Sequence, residues 1–264
     1  MSSFGEAQSV KKYQRVFDFL ILGNWNAFKP AEDFDLFFSK VIGKNHLHLA
    51  LPYGLVSKYL EKGVASDIVI GCNAMSSALK GSYTEGVGVK ILSKKNIPFV
   101  LLDLKETGLI SEDPLKEINE KIKCLLNHEI SVFVVLGENY SQFLDGNFSD
   151  IIINQIRAIV ENVPESQLNK LSFIYSSAGV SAKGIRGLKM TIDGSTVFFR
   201  QALESVLGSD ASLKVRVMMA VPSISTDYAK LIHNTIADGF YFSNVAIYPE
   251  SFLQTIQPSA LSRG

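Results

Sequence analysis

Two carboxylates three residues apart, Asp103 and Glu106, follow the apolar run Ile97 to Leu102, and Glu138 stands just beyond a second such run, Ser131 to Leu136. A carboxylate at the carboxyl end of a strand can act as a general base, since α/β folds of this kind place their catalysis there. Asp103 has a simpler use as well: an acid just before a turn accepts from the backbone N–H groups that follow. Ser176 and Ser177 come after the run Leu171 to Tyr175, but no Gly-x-Ser-x-Gly elbow surrounds them, so they read as loop hydroxyls rather than nucleophiles. His46 and His48 alternate with Leu47 and Leu49 and share one face of a strand, with no third ligand in view, so no metal is expected. Gly86-Val87-Gly88 lacks the third glycine of a dinucleotide fingerprint, and no Gly-Lys-Ser or Gly-Lys-Thr phosphate loop exists. The sequence therefore predicts no cofactor. Cys72 and Cys124 lie far apart in a chain that needs no disulfide framework, and read as reduced thiols.

The elements that must position these groups are strands and helices in alternation. Short runs rich in Val, Ile, Leu and Phe recur at 17–23, 47–51, 68–71, 97–102, 131–136, 171–175, 214–219 and 239–242, each followed by a stretch of helical period. That is the pattern of βαβ units around a parallel sheet. Between two of the runs, Asp113 can cap a helix over 114–127, Pro114 suits its first turn, and Leu115, Ile118, Ile122 and Leu125 share a face. Phe34, Phe37 and Phe38 are at helical spacing and read as core. Such units without a composition break predict an α/β fold, a closed (β/α)8 barrel in one domain over 1–264, with 1–14 a polar N-terminal extension. A barrel of this kind places its chemistry at the carboxyl ends of the strands.

Charge narrows the partners. The 26 Lys and Arg balance the 26 Asp and Glu, so the broad positive field that nucleic acid or an anionic membrane needs is missing. The polar start, and the brevity of the apolar stretch before Gly23-Asn24, give neither a signal peptide nor a membrane span. A cytoplasmic protein with a small-molecule or protein partner is expected.

Four segments in order carry a resemblance. Gly23-Asn24-Trp25 ends the first strand; Lys80-Gly81-Ser82-Tyr83-Thr84 follows the third; Leu136-Gly137-Glu138 follows the fifth; Asp238-Gly239-Phe240, with Pro249-Glu250 and Phe252, spans the eighth strand and its helix. Together they resemble the triosephosphate isomerase family, whose corresponding segments read Gly-Asn-Trp-Lys, Gly-Ala-Phe-Thr-Gly-Glu, Val-Gly-Glu and Asp-Gly-Phe-Leu-Val-Gly-Gly-Ala-Ser-Leu-Lys-Pro-Glu-Phe. The resemblance implies a glycolytic isomerase by descent, interconverting two triose phosphates through an enediolate. A glutamate after strand six takes the carbon-bound proton, a neutral histidine after strand four polarises the carbonyl, and a lysine after strand one holds the negative charge.

All three positions differ here. Asn26 stands where the lysine would be. The histidine place holds Asp103 or, if Glu106 matches the family's glutamate, Leu104. The base becomes Ser176 within Tyr175-Ser176-Ser177-Ala178-Gly179, which replaces the family's Tyr-Glu-Pro-Val-Trp. Asn24 and Glu106 match retained positions. The family's phosphate loops face Met219 to Ile224 and Ser243-Asn244, so an anion would be held by Ser177, Gly179, Ser223, Ser243 and Asn244 with Lys183 nearby. The resemblance also implies a homodimer through the Lys80 to Thr84 loop, although Glu85-Gly86 inverts the family's Gly-Glu.

Two classes of function follow from these replacements. One is a relative without normal isomerase activity that binds a phosphorylated small molecule or another protein. The other is an enzyme: either one acting on a different phosphorylated or carbonyl substrate through Asp103, Glu106 or Glu138, or a triosephosphate isomerase of low activity.

Overall fold

The computed structural model describes residues 13–25, 31–41, 47–64, 67–73, 75, 87–178, 188–221, 231 and 234–256. Of the expected site residues, Asn26, Gly179, Lys183, Ser223, His46 and the 80–86 segment lie outside them.

The chain alternates between strand and helix: β1 (Leu20–Asn24), α1 (Ala31–Val41), β2 (Leu47–Leu51), α2 (Tyr53–Val64), β3 (Val69–Cys72), α3 (Val89–Lys94), β4 (Phe99–Asp103), α4 (Leu104–Thr107), α5 (Pro114–Leu126) and β5 (Ser131–Leu136). After these come α6 (Tyr140–Leu144), α7 (Phe148–Val160), a 3₁₀ turn (Glu165–Lys170), β6 (Leu171–Tyr175), α8 (Leu188–Leu207), α9 (Ser209–Ser212), β7 (Arg216–Ala220), β8 (Gly239–Phe242) and α10 (Pro249–Thr255). Each strand pairs in parallel with the next and β8 pairs back to β1, closing the barrel. The (β/α)8 expectation is met.

At three strand starts that differ from the sequence reading, β1, β4 and β7, a competing hydrogen bond accounts for the difference, while β3 lies one residue later than its apolar run. Val16 and Phe17 give their N–H groups to the Asp238 carboxylate instead of a ladder, so β1 starts at Leu20. Ile97 is held to Leu92 O at the end of α3, behind Asn96 at φ 52°, and β4 starts at Phe99. Lys214 and Val215 belong to the turn closing α9. In α5, Asp113 Oδ1 accepts from Lys116 N and Pro114 begins the helix, as the sequence implies.

Side chains divide into two cores. Ile21, Phe34, Phe37, Phe38, Phe240, Phe242 and their neighbours fill the shell between strands and helices. Leu20, Leu22, Phe99, Leu101, Phe133, Val135, Ile174, Met218 and Tyr241 fill the barrel itself. His48 points inward against Phe99 and Phe133. Room for the Phe99 ring exists because residue 71 is glycine; a Cβ there would lie 2.5 Å from the ring. The far end of the barrel is tied by Asp238, which is fully buried, pairs with Arg200 and accepts from Val217 N at 2.8 Å.

Candidate functional site

At the carboxyl ends of the strands, period two turns Asn24, Asn73, Asp103, Ser176 and Tyr241 towards the barrel axis. The polar residues are tied to one another on one side. Asn73 Nδ2 donates to Asn24 Oδ1 at 2.8 Å and to Trp25 O at 3.2 Å. Asn24 Nδ2 in turn lies 3.4 Å from the Tyr241 hydroxyl, a long hydrogen bond. Burial, with Asp103 and Glu106 adding negative charge, pushes the Tyr241 phenol far above its ordinary pKa, so it is a neutral hydroxyl.

Asp103 ends β4 and caps α4: its Oδ1 accepts from Lys105 N at 2.8 Å and Glu106 N at 3.1 Å. The capping role read from the sequence is therefore present. The group is half-buried, however, and desolvation raises its pKa against the lowering effect of those two N–H groups. Glu106 is raised as well, by burial and then by repulsion from Asp103. Leu104, the other candidate for the family's histidine place, starts α4 and is buried. Neither position offers an imidazole.

On the opposite side, Glu138 is buried and organises the end of β6. It accepts from the Tyr175 hydroxyl at 2.9 Å, the Ser177 hydroxyl at 3.2 Å and Ala178 N at 2.9 Å. Burial and that carboxylate hold the Tyr175 phenol protonated. Ser177, one of the hydroxyls expected to face an anion, thus turns to a carboxylate. Ser176 follows β6 in register, its N–H bonded to Leu136 O at 2.8 Å. Ser243 and Asn244 form the turn after β8, where Asn244 O accepts from Ile247 N and Tyr248 N.

A cavity of about 590 Å³ opens beside these groups, bounded by Asp103, Lys105, Glu138, Tyr140, Gln155 and Ser176 among others. Among the described residues its walls come from the ends of β4, β5 and β6 and the segments after them. Asp103 and Ser176 are brought together there, while Asn24 belongs to the other half of the mouth and Glu106 is not in the wall. Sequence reasoning passed over Tyr241 and Asn73. The signal for Tyr241 was its place two residues after Gly239 on a strand, where the family's motif has leucine. Among the described residues, no group of three or more His, Cys, Asp or Glu side chains could hold a metal ion, and no helix is long and apolar enough to cross a membrane.

The family model described as triosephosphate isomerase matches residues 19–259. The triosephosphate isomerase of Alkaliphilus oremlandii is 19% identical over 244 residues, covering 90% of this chain and 98% of the relative. That of Caldanaerobacter subterraneus is 19% identical over 242 residues with the same coverage, and that of Clostridium botulinum 23% identical over 166 residues, 62% of this chain and 66% of the relative. With the closed barrel and a match running through nearly every strand and helix, the chain belongs to the triosephosphate isomerase family.

Proposed function

We propose that this protein binds a small molecule at the mouth of its barrel and does not carry out the family's isomerisation at the family's rate. The observation that carries this reading is the residue at the end of β6, where proton abstraction from carbon needs a base and the chain has Ser176. An alcohol of ordinary acidity cannot take a carbon-bound proton near neutral pH, and loss of a general base costs about 10²–10⁴ in rate. Loss of a preorganised electrostatic partner costs roughly another 10²–10³, though the two losses need not multiply. Both carboxylates that border the cavity are occupied: Asp103 caps α4, and Glu138 accepts from Tyr175, Ser177 and Ala178. The cavity itself has the size and mixed lining of a small-molecule site. The test is a coupled assay of the purified chain on glyceraldehyde 3-phosphate. Turnover at the buffer background agrees with this reading; turnover typical of an enzyme, about 10 s⁻¹ or more, refutes it.

A second reading has one observation in its favour, the raised pKa of both Asp103 and Glu106 at the same rim. It makes the chain a proton-transfer enzyme on another carbonyl compound, with Asp103 as base. Incorporation of solvent deuterium into dihydroxyacetone, followed by NMR and lost in Asp103→Asn, is its expected sign; equal exchange by the wild type and the variant rules it out.

A further inference from the structure

The position of Tyr241 decides what the mouth can admit. Strand β8 turns Phe240 and Phe242 outward into the shell and Tyr241 inward. The ring is 3% exposed and belongs to the cluster inside the barrel with Leu22, Ala50, Leu101, Val135 and Ile174. Its register neighbours are Leu22 on β1 and Ala220 on β7, and the small side chains of Ala50 and Ala220 leave space for a ring in that layer. The hydroxyl is not left to swing. Asn73 donates to Asn24, and Asn24 Nδ2 lies 3.4 Å from the Tyr241 hydroxyl, so amides from two other strand ends orient the inward-turned ring. The family's motif has leucine at this point, a side chain without hydroxyl and shorter than the ring.

The cavity agrees with this placement. Among the described residues its walls come from β4, β5, β6 and the segments after them, with none from β8 or β1. A phosphorylated three-carbon ligand held in the family's manner would carry its phosphate to the loops after β7 and β8 and its carbons across the axis. Tyr241 is the inward-facing residue of β8 nearest the second of those loops. The carboxylates of Asp103 and Glu106, which act on the same hydroxyl, add repulsion for an anion at this spot.

We propose that Tyr241 is the specificity-determining residue of this barrel: its tethered ring closes the axis to phosphorylated three-carbon ligands and confines binding to the cavity over β4, β5 and β6. The inference rests on the reading of the mouth as a binding site that has lost isomerisation, and refines it by saying which ligands are shut out.

Calorimetric titration with glycerol 3-phosphate, which has no carbonyl to isomerise, tests it on the full chain. Wild type is expected to give no saturable binding in the millimolar range, while Tyr241→Leu binds at least about tenfold more tightly. Tyr241→Met, with a thinner and more flexible side chain, gives the same gain should the leucine variant fold poorly, and circular dichroism melting checks both. Binding by the wild type as tight as by the variants, or no gain in a folded variant, overturns the proposal. Isomerase turnover by the wild type would instead sink the reading of the site on which it rests, so the two failures are distinguishable.

Discussion

Two demands meet at Asp103. Its Oδ1 supplies the acceptor that the first N–H groups of α4 need, and its half-buried setting makes the charge costly. The sequence made the first demand legible, since an acid before Leu104-Lys105-Glu106 is a cap by type and place. It hid the second, because burial at the rim depends on how the loops after β4 and β5 fold back. The raised pKa has a sign that can be checked. The folded chain holds the Asp103 proton more tightly than the unfolded chain. The stability this contributes is therefore greatest below the ordinary carboxylate value near 3.8 and is lost as pH rises through the higher folded value. Asp103→Asn keeps an acceptor for the cap and removes the titration. It is expected to be the more stable protein at about pH 7, with the difference shrinking towards about pH 3. Urea midpoints of the two proteins that run parallel with pH would contradict this.

Elements were read most accurately where the ladder has no competitor. β2, β5, β6 and β8, whose residues pair in register with the neighbouring strands, keep the bounds expected from their apolar runs. β1 does not, and the reason is Asp238. This buried carboxylate takes Val16 N and Phe17 N from the N-terminal segment, Val217 N from β7 and the Arg200 guanidinium from α8. Arg216 adds a bond from its guanidinium to Asp238 O, at 3.1 Å, and another to Asp18 O. One residue at the start of β8 thus joins the amino-terminal segment to the last third of the chain, a link between positions over 200 apart that no local pattern displays. Asp238→Ala strands the Arg200 charge in the interior and is expected to cost about 3–5 kcal/mol in urea unfolding. A loss under about 1 kcal/mol would mean that the pair is as weak as an exposed one.

For the molecule as a whole, the alternation of apolar runs and helical periods was enough to reach the closed barrel, since eight such units in series have few other ways to bury both faces of their strands. The site was legible in part. Motif order located Asn24, Asp103 and Ser176 at the strand ends, because a strand end is a local property. That the Tyr241 hydroxyl meets Asn24, that Ser177 turns to Glu138, and that a cavity opens beside β4, β5 and β6 are properties of closure, and strand spacing does not contain them. The proposal is chemical at its centre: the barrel is kept while the family's proton-transfer groups have been exchanged. Putting the lysine and the glutamate back tests it most directly, with Asn26→Lys and Ser176→Glu introduced together into the Tyr241→Leu background and assayed beside wild type on glyceraldehyde 3-phosphate. The wild type is predicted to stay at background while the triple variant gains about 10²-fold or more. Full turnover by the unmodified chain, or a folded triple variant no faster than wild type, would contradict the account.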